Sequence, residues 1–500
     1  MWSFVINRKL EKPEEASNVE DFEMERNRNR TQWKQWLASI SATLSMIAAG
    51  TVYGWTTTIL SRLLKGQDVP MRITSDESSW IVSLTVIGSM VGPFLGAWLA
   101  TRHGRKFSLM FSSIFYIVGW VIVLVAGSVG ALYASRVVLG IGVGMSYTTN
   151  PMYVSEVADT NIRGALGTLI AVNVFTGSLL ACSVGPWVSY TALGLVMLSV
   201  PIIFLSTFAW FPESPYYLAS KGLNEEATKA LIFFKGIKEP GEAKRELENV
   251  LKNVDENRED SKDRGLKLRR LLSSNNRRAF FIVFGLIVAQ QLSGSFSTMQ
   301  YLETLFSKTN IGIDSNIATI IVLAVGLVSG ALSTGLVEGA GRRPLLIVST
   351  LGSGLTLGVL AVYLLLDFQN VQLSAINILP VIDVILFQVA YQVGLGTLPN
   401  ALIGELFPTS AKHVAGAAIT ISDGILGFAV SKLYQVIGDL VGNLHIVYFV
   451  FSASCFAAFL FVFLFVPETK NKSFADIRNE LSSEKFRCRE QRRRSGVHVA

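Results

Sequence analysis

The chain has 500 residues, of which half are hydrophobic and only 16% are charged, and its formal net charge is +7. This composition is too apolar for an ordinary soluble enzyme. Apolar runs of about 18 or more residues recur along the chain, and each could cross the hydrocarbon of a bilayer as a helix. Twelve runs are predicted, near 37–61, 79–101, 107–129, 131–155, 164–186, 190–211, 279–306, 317–337, 344–366, 377–404, 413–437 and 444–466.

The positive charges indicate how these helices are oriented. Lysine and arginine concentrate in the first 36 residues, in the short links after every second run, in the segment 212–278 and in the C-terminal tail. Cytoplasmic loops carry such an excess, so we expect both termini to be cytoplasmic. The net charge therefore reflects topology and does not indicate a nucleic-acid partner. We expect no cleavable signal peptide, because the first 36 residues are polar and the first apolar run is too long.

The two sets of six runs repeat each other. Three short signatures occur in both: TRHGRK at 101–106 returns as EGAGRR at 338–343, Glu156 with Arg163 returns as Glu405 with Lys412, and PESP at 212–215 returns as PETK at 467–470. Repeated halves of this kind are typical of transporters that bind their substrate between the halves at mid-bilayer. Glycines spaced by four, such as Gly88 with Gly92 and Gly140 with Gly144, predict close helix packing.

The repeat also gives a domain organisation. We predict a cytoplasmic N-terminal segment at 1–36, a six-helix bundle at 37–211, a cytoplasmic linker with short amphipathic helices at 212–278, a second six-helix bundle at 279–466 and a cytoplasmic tail at 467–500.

These signatures together resemble the sugar-porter branch of the major facilitator superfamily over nearly the whole chain. They are GRK and GRR in the two inner links, RVVLGIGVG with PMYVSEVADTNIRG at 136–164, PESP, QQLSG at 290–294, GELFPTSAK at 404–412 and PETKNKSF at 467–474. The ELFP form is similar to the insect facilitated trehalose and hexose transporters. The resemblance implies twelve transmembrane helices in two bundles and transport by alternating access.

Charged residues at the predicted inner helix ends suggest a latch. Arginine pairs well with carboxylates, and such pairs between the two halves would hold the inner side shut while the outer side is open. Ordinary positive-inside anchoring is the alternative reading. The candidate gating residues are Arg102, Arg105, Glu156, Arg163, Glu213, Glu338, Arg342, Arg343, Glu405, Lys412 and Glu468.

Polar residues inside apolar runs are candidates for the substrate path, because they are costly in a membrane unless they have a partner or face water. Side-chain amides donate and accept hydrogen bonds, which suits a sugar with many hydroxyls. A helix–helix hydrogen bond is the alternative for any single glutamine. The candidate substrate-binding residues are Asn173, Gln290, Gln291, Gln392, Asn400, Asp423 and Tyr301.

The site departs from the sugar porters at several positions. Ser295 and Phe296 stand where those relatives have an Ile-Asn pair, and Asp423 stands where they have Asn. The first helix reads AAGTVYGWTTTIL and has no carboxylate, whereas proton-coupled relatives carry an acid there. This favours a uniporter, while a buried Asp423 leaves proton coupling open.

The sequence therefore predicts a monomeric, multi-pass plasma-membrane transporter for a neutral sugar, a hexose or trehalose, with the lipid bilayer as its surroundings. No enzyme motif, metal cluster or cofactor is expected, since only four histidines and three cysteines occur and none are grouped. Two alternatives stay open. One is a proton-coupled or non-sugar transporter that uses Asp423, and the other is a transporter-like nutrient sensor.

Overall fold

The computed structural model describes residues 18–159, 161–237, 240–262, 274–309, 311–407, 409–470 and 472. Within these ranges the regular structure is entirely helical. In chain order the α-helices are α1 Asn18–Lys65, α2 Ser75–Arg102, α3 Arg105–Val125, α4 Val129–Val157, α5 Arg163–Val184, α6 Tyr190–Phe208, α7 Pro215–Ser220, α8 Asn224–Lys235, α9 Pro240–Lys262, α10 Ser274–Leu292, α11 Ser295–Gln300, α12 Leu302–Lys308, α13 Ser315–Ala340, α14 Arg342–Phe368, α15 Leu379–Val393, α16 Leu398–Leu406, α17 Thr409–Val441 and α18 His445–Phe465.

Eleven helical segments of the described chain are long and apolar enough to cross a membrane. They match eleven of the twelve predicted runs. The remaining run, 377–404, contains two shorter helices, α15 and α16, on either side of a break at 394–397. The membrane-spanning, all-helical class is confirmed, and the count of twelve spans stays a prediction.

Helices α1–α6 pack with one another, and so do α10–α18. In the first group α2 lies along α4, and α1 lies along α5. Gly88 abuts Gly140 and Gly92 abuts Gly144, each pair close enough to leave no room for a Cβ. The close packing predicted from the glycine spacing is therefore confirmed. In the second group α14 packs against α15 and α18.

The two groups meet along two seams. Helix α2 runs beside α17, where a side chain at Gly424 would overlap Met90. Helix α5 runs beside α13, where Phe175 fills the space next to Gly326 and Gly330. Small residues on one side of each seam thus allow the groups to approach closely without interlocking side chains.

The linker between the groups contains the short helices α7, α8 and α9. Their apolar faces bury Leu218, Phe234 and Val250 in a cluster that also includes Phe204 and Phe208 of α6. Burial of this face fixes the linker against the end of the first group that carries Arg102 and Arg105, here called the arginine-rich end. The described part of the predicted linker is therefore helical and amphipathic, and residues 263–273 lie outside the described residues.

The helix that begins at Ser274 is broken in the middle of the apolar run, directly after Gln290 and Gln291. Gly294 has a φ of +68°, in the left-handed region, and a Cβ there would overlap the Phe451 ring. Only glycine fits such a position without strain. The chain then continues as α11 and α12. Discontinuous helices of this type commonly border substrate sites in transporters.

Candidate functional site

One charged cluster closes the arginine-rich end of the first group of helices. The Nε and Nη2 atoms of Arg105 donate to Oε1 of Glu156 at 3.1 and 2.9 Å. The Ser214 hydroxyl donates to the other oxygen of Glu156. Glu213 accepts hydrogen bonds from the backbone N–H groups of Arg105 and Lys106, both at 3.0 Å. The cluster joins α3, α4 and the link after α6.

The second group of helices repeats this cluster. Arg342 donates from Nε and Nη2 to Oε1 of Glu405 at 3.0 and 2.8 Å, and the Thr469 hydroxyl donates to Oε2 at 2.5 Å. Glu468 accepts from the backbone N–H groups of Arg342 and Arg343 at 3.0 and 3.1 Å. The sequence repeat therefore encodes two copies of one three-part structure.

Each cluster depends on a glycine that precedes its arginine. Gly104 and Gly341 have φ of +114° and +92°, and both open a helix. A Cβ at Gly104 would overlap the Glu213 carboxylate, and one at Gly341 would lie 2.9 Å from Oε2 of Glu468. The missing side chain lets a carboxylate reach the unpaired N–H groups of the helix N-terminus, where negative charge is stabilised. Sequence reasoning placed GRK and GRR in the links but missed this capping role.

The two capping carboxylates differ in their electrostatics. Burial raises the pKa of Glu213, and its backbone hydrogen bonds only partly offset that effect. Burial would also raise the pKa of Glu468, but hydrogen bonds from four backbone N–H groups, those of Lys470, Arg342, Arg343 and Thr469, outweigh it, so its pKa is lowered. Glu468, in the second cluster, thus keeps its negative charge to a lower pH than Glu213 in the first cluster.

The other candidate gating residues have separate surroundings. Arg102 is exposed and its guanidinium lies over the Trp98 ring at 5.6 Å. Arg163 donates to the carbonyl of Ala158 at 3.3 Å, and Arg343 donates to the carbonyl of Phe463 at 2.8 Å. The side chains of Glu338 and Lys412 lie outside the described residues.

A second constellation lies at the broken helix, in the middle of the apolar runs. The Gln291 side chain donates to Oδ1 of Asp423 on α17 at 2.6 Å. The side chain of its neighbour Gln290 lies within hydrogen-bonding reach of Tyr391 on α15, as does that of Ser295. The two adjacent glutamines thus face two different helices. All four of these glutamine, aspartate and tyrosine side chains remain partly exposed.

The first group of helices contributes the facing wall. The ring of Tyr53 on α1 meets Phe296 edge to face, with 5.7 Å between centroids. Tyr53 also lies within electrostatic range of Tyr147 and Asp423. Asn173 on α5 donates to the Thr43 hydroxyl at 2.8 Å and is partly exposed. The first half thus contributes the Tyr53 ring to this region, whereas Asn173 bonds to α1 ten residues earlier, about 15 Å along that helix.

The structure does not bring every candidate to this region. Tyr301 is 1% exposed and stacks on Tyr434, with 4.9 Å between ring centroids, beyond the helix break. Gln392 is buried beside the break between α15 and α16. The side chain of Asn400 lies outside the described residues. Tyr53 and Tyr147 were missed, because an isolated tyrosine in an apolar run resembles ordinary core.

These features define a class of protein: a multi-pass membrane transporter with internal repeats and discontinuous helices around a central polar region. The family described as "Sugar (and other) transporter" matches residues 22–481, and the chain belongs to it. It is a transporter family, so the chain is not an enzyme.

Known proteins agree with this assignment. The facilitated trehalose transporter Tret1 of Bombyx mori is 29% identical over 459 residues, which are 91% of this chain and 88% of that protein. Tret1 of Drosophila pseudoobscura pseudoobscura is 28% identical over 90% of this chain, and the match spans about half of that longer protein, 51%. The inward open structure of the xylose transporter XylE from E. coli superposes with a TM-score of 0.74 at 21% identity, covering 89% of this chain and 99% of that chain. The major facilitator fold is therefore confirmed.

Proposed function

We propose that the protein carries a neutral sugar, a hexose or trehalose, down its concentration gradient across the plasma membrane by alternating access. The observation that supports this most directly is the pair Gln290 and Gln291, which reach Tyr391 and Asp423 from the edge of a helix break. Their amides offer donors and acceptors to sugar hydroxyls, and the Tyr53 and Phe296 rings offer an apolar wall.

The proposed topology has twelve spans, with α15 and α16 together forming the tenth, and both termini in the cytoplasm. The arginine-rich end is then the inner end, consistent with the positive-inside rule. The two bundles are 37–211 and 279–466, joined by the linker 212–278 and flanked by the segments 1–36 and 467–500. We expect a monomer to be the transporting unit.

Within this cycle the two inner clusters brace each half. In this structure Arg105 pairs with Glu156, and Arg342 pairs with Glu405, within the same half. The prediction that inner charges join the two halves concerns the state in which the inner side is shut, and it stays a prediction because the outer ends meet in this structure. We propose that these two pairs keep each half rigid as it rocks, since a bundle that moves as one body needs fixed helix ends.

The test is uptake of labelled sugars by purified protein in liposomes, with and without a pH gradient. We expect saturable uptake of trehalose or a hexose that is insensitive to the gradient. Uptake driven by the gradient and lost in Asp423→Asn would replace the uniporter with a proton-coupled transporter. Tight sugar binding without any uptake would indicate a sensor instead.

A further inference from the structure

Two hydrogen bonds join the two halves toward the outer end, away from Arg105 and Arg342. The Thr57 hydroxyl on α1 donates to the carbonyl of Met299 on α11 at 3.0 Å. The Gln435 amide on α17 donates to the Ser75 hydroxyl, the first residue of α2, at 2.6 Å. These contacts hold the outer ends of the halves together, so the structure is closed to the outside.

Lys432 adds an ion pair to this outer contact. Its ammonium donates to Oδ1 of Asp76 at 2.6 Å and to the Ser79 hydroxyl at 2.7 Å, and it lies 4.3 Å from the centre of the Trp80 ring. The same ring meets Phe428, one turn before Lys432, at 6.2 Å. One cation on the second half is thus surrounded by three side chains of the first half.

The first turn of α2 is built to present this anion. Thr74 and Glu77 form a capping box that fixes the start of the helix, and Asp76 lies in its first turn. Carboxylates are stabilised at a helix N-terminus, so the start of α2 keeps Asp76 in position when the partner half moves away. Lys432 is 19% exposed and Asp76 is 69% exposed, so the pair can exchange its contact for water at modest cost.

We propose that Lys432, Asp76 and Trp80 form an outer latch that sets how often the transporter opens to the outside. This inference rests on the proposed transport cycle. The latch differs from the inner clusters because it joins the two halves directly, so each cycle must break and remake it. When the outer side closes, Asp76 attracts the Lys432 ammonium and the Trp80 ring makes a cation–π contact with it.

The experiment measures opening without any sugar. Thr57 is buried where the outer ends of the two halves meet. A cysteine at this position would react with a membrane-impermeant maleimide added outside only when those outer ends separate. In that background Asp76→Asn and Lys432→Gln should each raise the labelling rate by about 1.4- to 5-fold, the range for one exposed ion pair. High salt should reduce the difference between these variants and their parent.

The control is Asp68→Asn, which removes an ion pair with Arg62 on the same outer face but within one half. Its labelling rate should match that of the parent. In the double variant Asp76→Asn with Lys432→Gln the rate should rise by less than the product of the two single effects, because both substitutions remove the same ion pair. The proposal is wrong if the two single variants label like Asp68→Asn, or if their effects multiply in the double variant. Sugar uptake is read separately, so failure of the latch would not be confused with failure of the transport function.

Discussion

Gly294 provides the sharpest test of how the broken helix is built. Gly294→Ala would add a methyl group that overlaps the Phe451 ring, in a backbone conformation with φ of +68°. The left-handed conformation costs about 1–2 kcal/mol for a residue with a Cβ. Overpacking of a filled site typically costs about 1–3 kcal/mol. Together they predict a loss of about 2–5 kcal/mol in the free energy of unfolding.

The two contributions can be separated with a second substitution at the clashing ring. Phe451→Ala alone leaves a cavity and should cost about 3–5 kcal/mol. In the double variant the new methyl group enters that cavity, so the clash disappears while the backbone strain remains. The double variant should therefore lose at least about 1 kcal/mol less than the sum of the single losses.

The assay is equilibrium unfolding in mixed detergent micelles, followed by tryptophan fluorescence. Gly130→Ala is the matched control, since it lies in a helix where an added Cβ meets nothing within 4 Å. It should unfold like the parent or be slightly more stable. If Gly294→Ala also unfolds like the parent, or if the two losses simply add, the argument for an enforced break fails.

Three further predictions concern stability. The pKa of Glu468 is lowered on folding, so its negative charge stabilises the folded state above the unfolded pKa, and this stability is lost as pH falls. Glu468→Gln should therefore be less stable than the parent at neutral pH, and the difference should close in acid. The pKa of Glu213 is raised on folding, so the parent should lose stability relative to Glu213→Gln as pH rises. The same dependence of unfolding free energy on pH in the parent and in Glu213→Gln would contradict this. Trp55 is fully buried, and the Arg136 guanidinium lies 4.0 Å from its ring centre. Trp55→Ala should therefore lower the free energy of unfolding by about 3–5 kcal/mol in the same assay. Trp98→Ala, which removes a similar contact on an exposed face, should cost far less, and equal losses would refute the role of burial.

The sequence predicted the class of fold because its main signals are local. The length of an apolar run is enough to predict a membrane helix, and a repeated link such as GRK indicates the internal duplication. It also placed Arg105, Glu156 and Glu213 among the charged residues at the inner helix ends. It could not predict that their pairing stays within one half, because the partner of an arginine depends on which helix ends meet.

The central region was only partly predictable for a related reason. Gln290 and Gln291 stand out because two amides in an apolar run are costly without partners. The left-handed backbone at Gly294 redirects the chain after them and carries Tyr301 away into a packed aromatic stack. No periodicity rule follows a side chain across such a break.

The outer latch was not predicted at all. Lys432 and Asp76 are 356 residues apart, and each alone reads as an ordinary charge near a helix end. Their pairing depends on the angle between the two halves, which differs between states of the transport cycle. A sequence carries no signal that selects one of those states.

The central claim is that the protein moves a neutral sugar without using another gradient. The most direct measurement is uptake of labelled trehalose and glucose into liposomes that contain the purified protein, with Gln290→Ala and the exposed-site control Gln369→Ala in parallel. We expect saturable uptake that ends when internal and external concentrations are equal. Gln290→Ala should slow uptake by about 2- to 13-fold, the range for one lost hydrogen bond, and Gln369→Ala should not slow it. Uptake no faster than in protein-free liposomes, or accumulation beyond equality when a pH gradient is imposed, would contradict the claim.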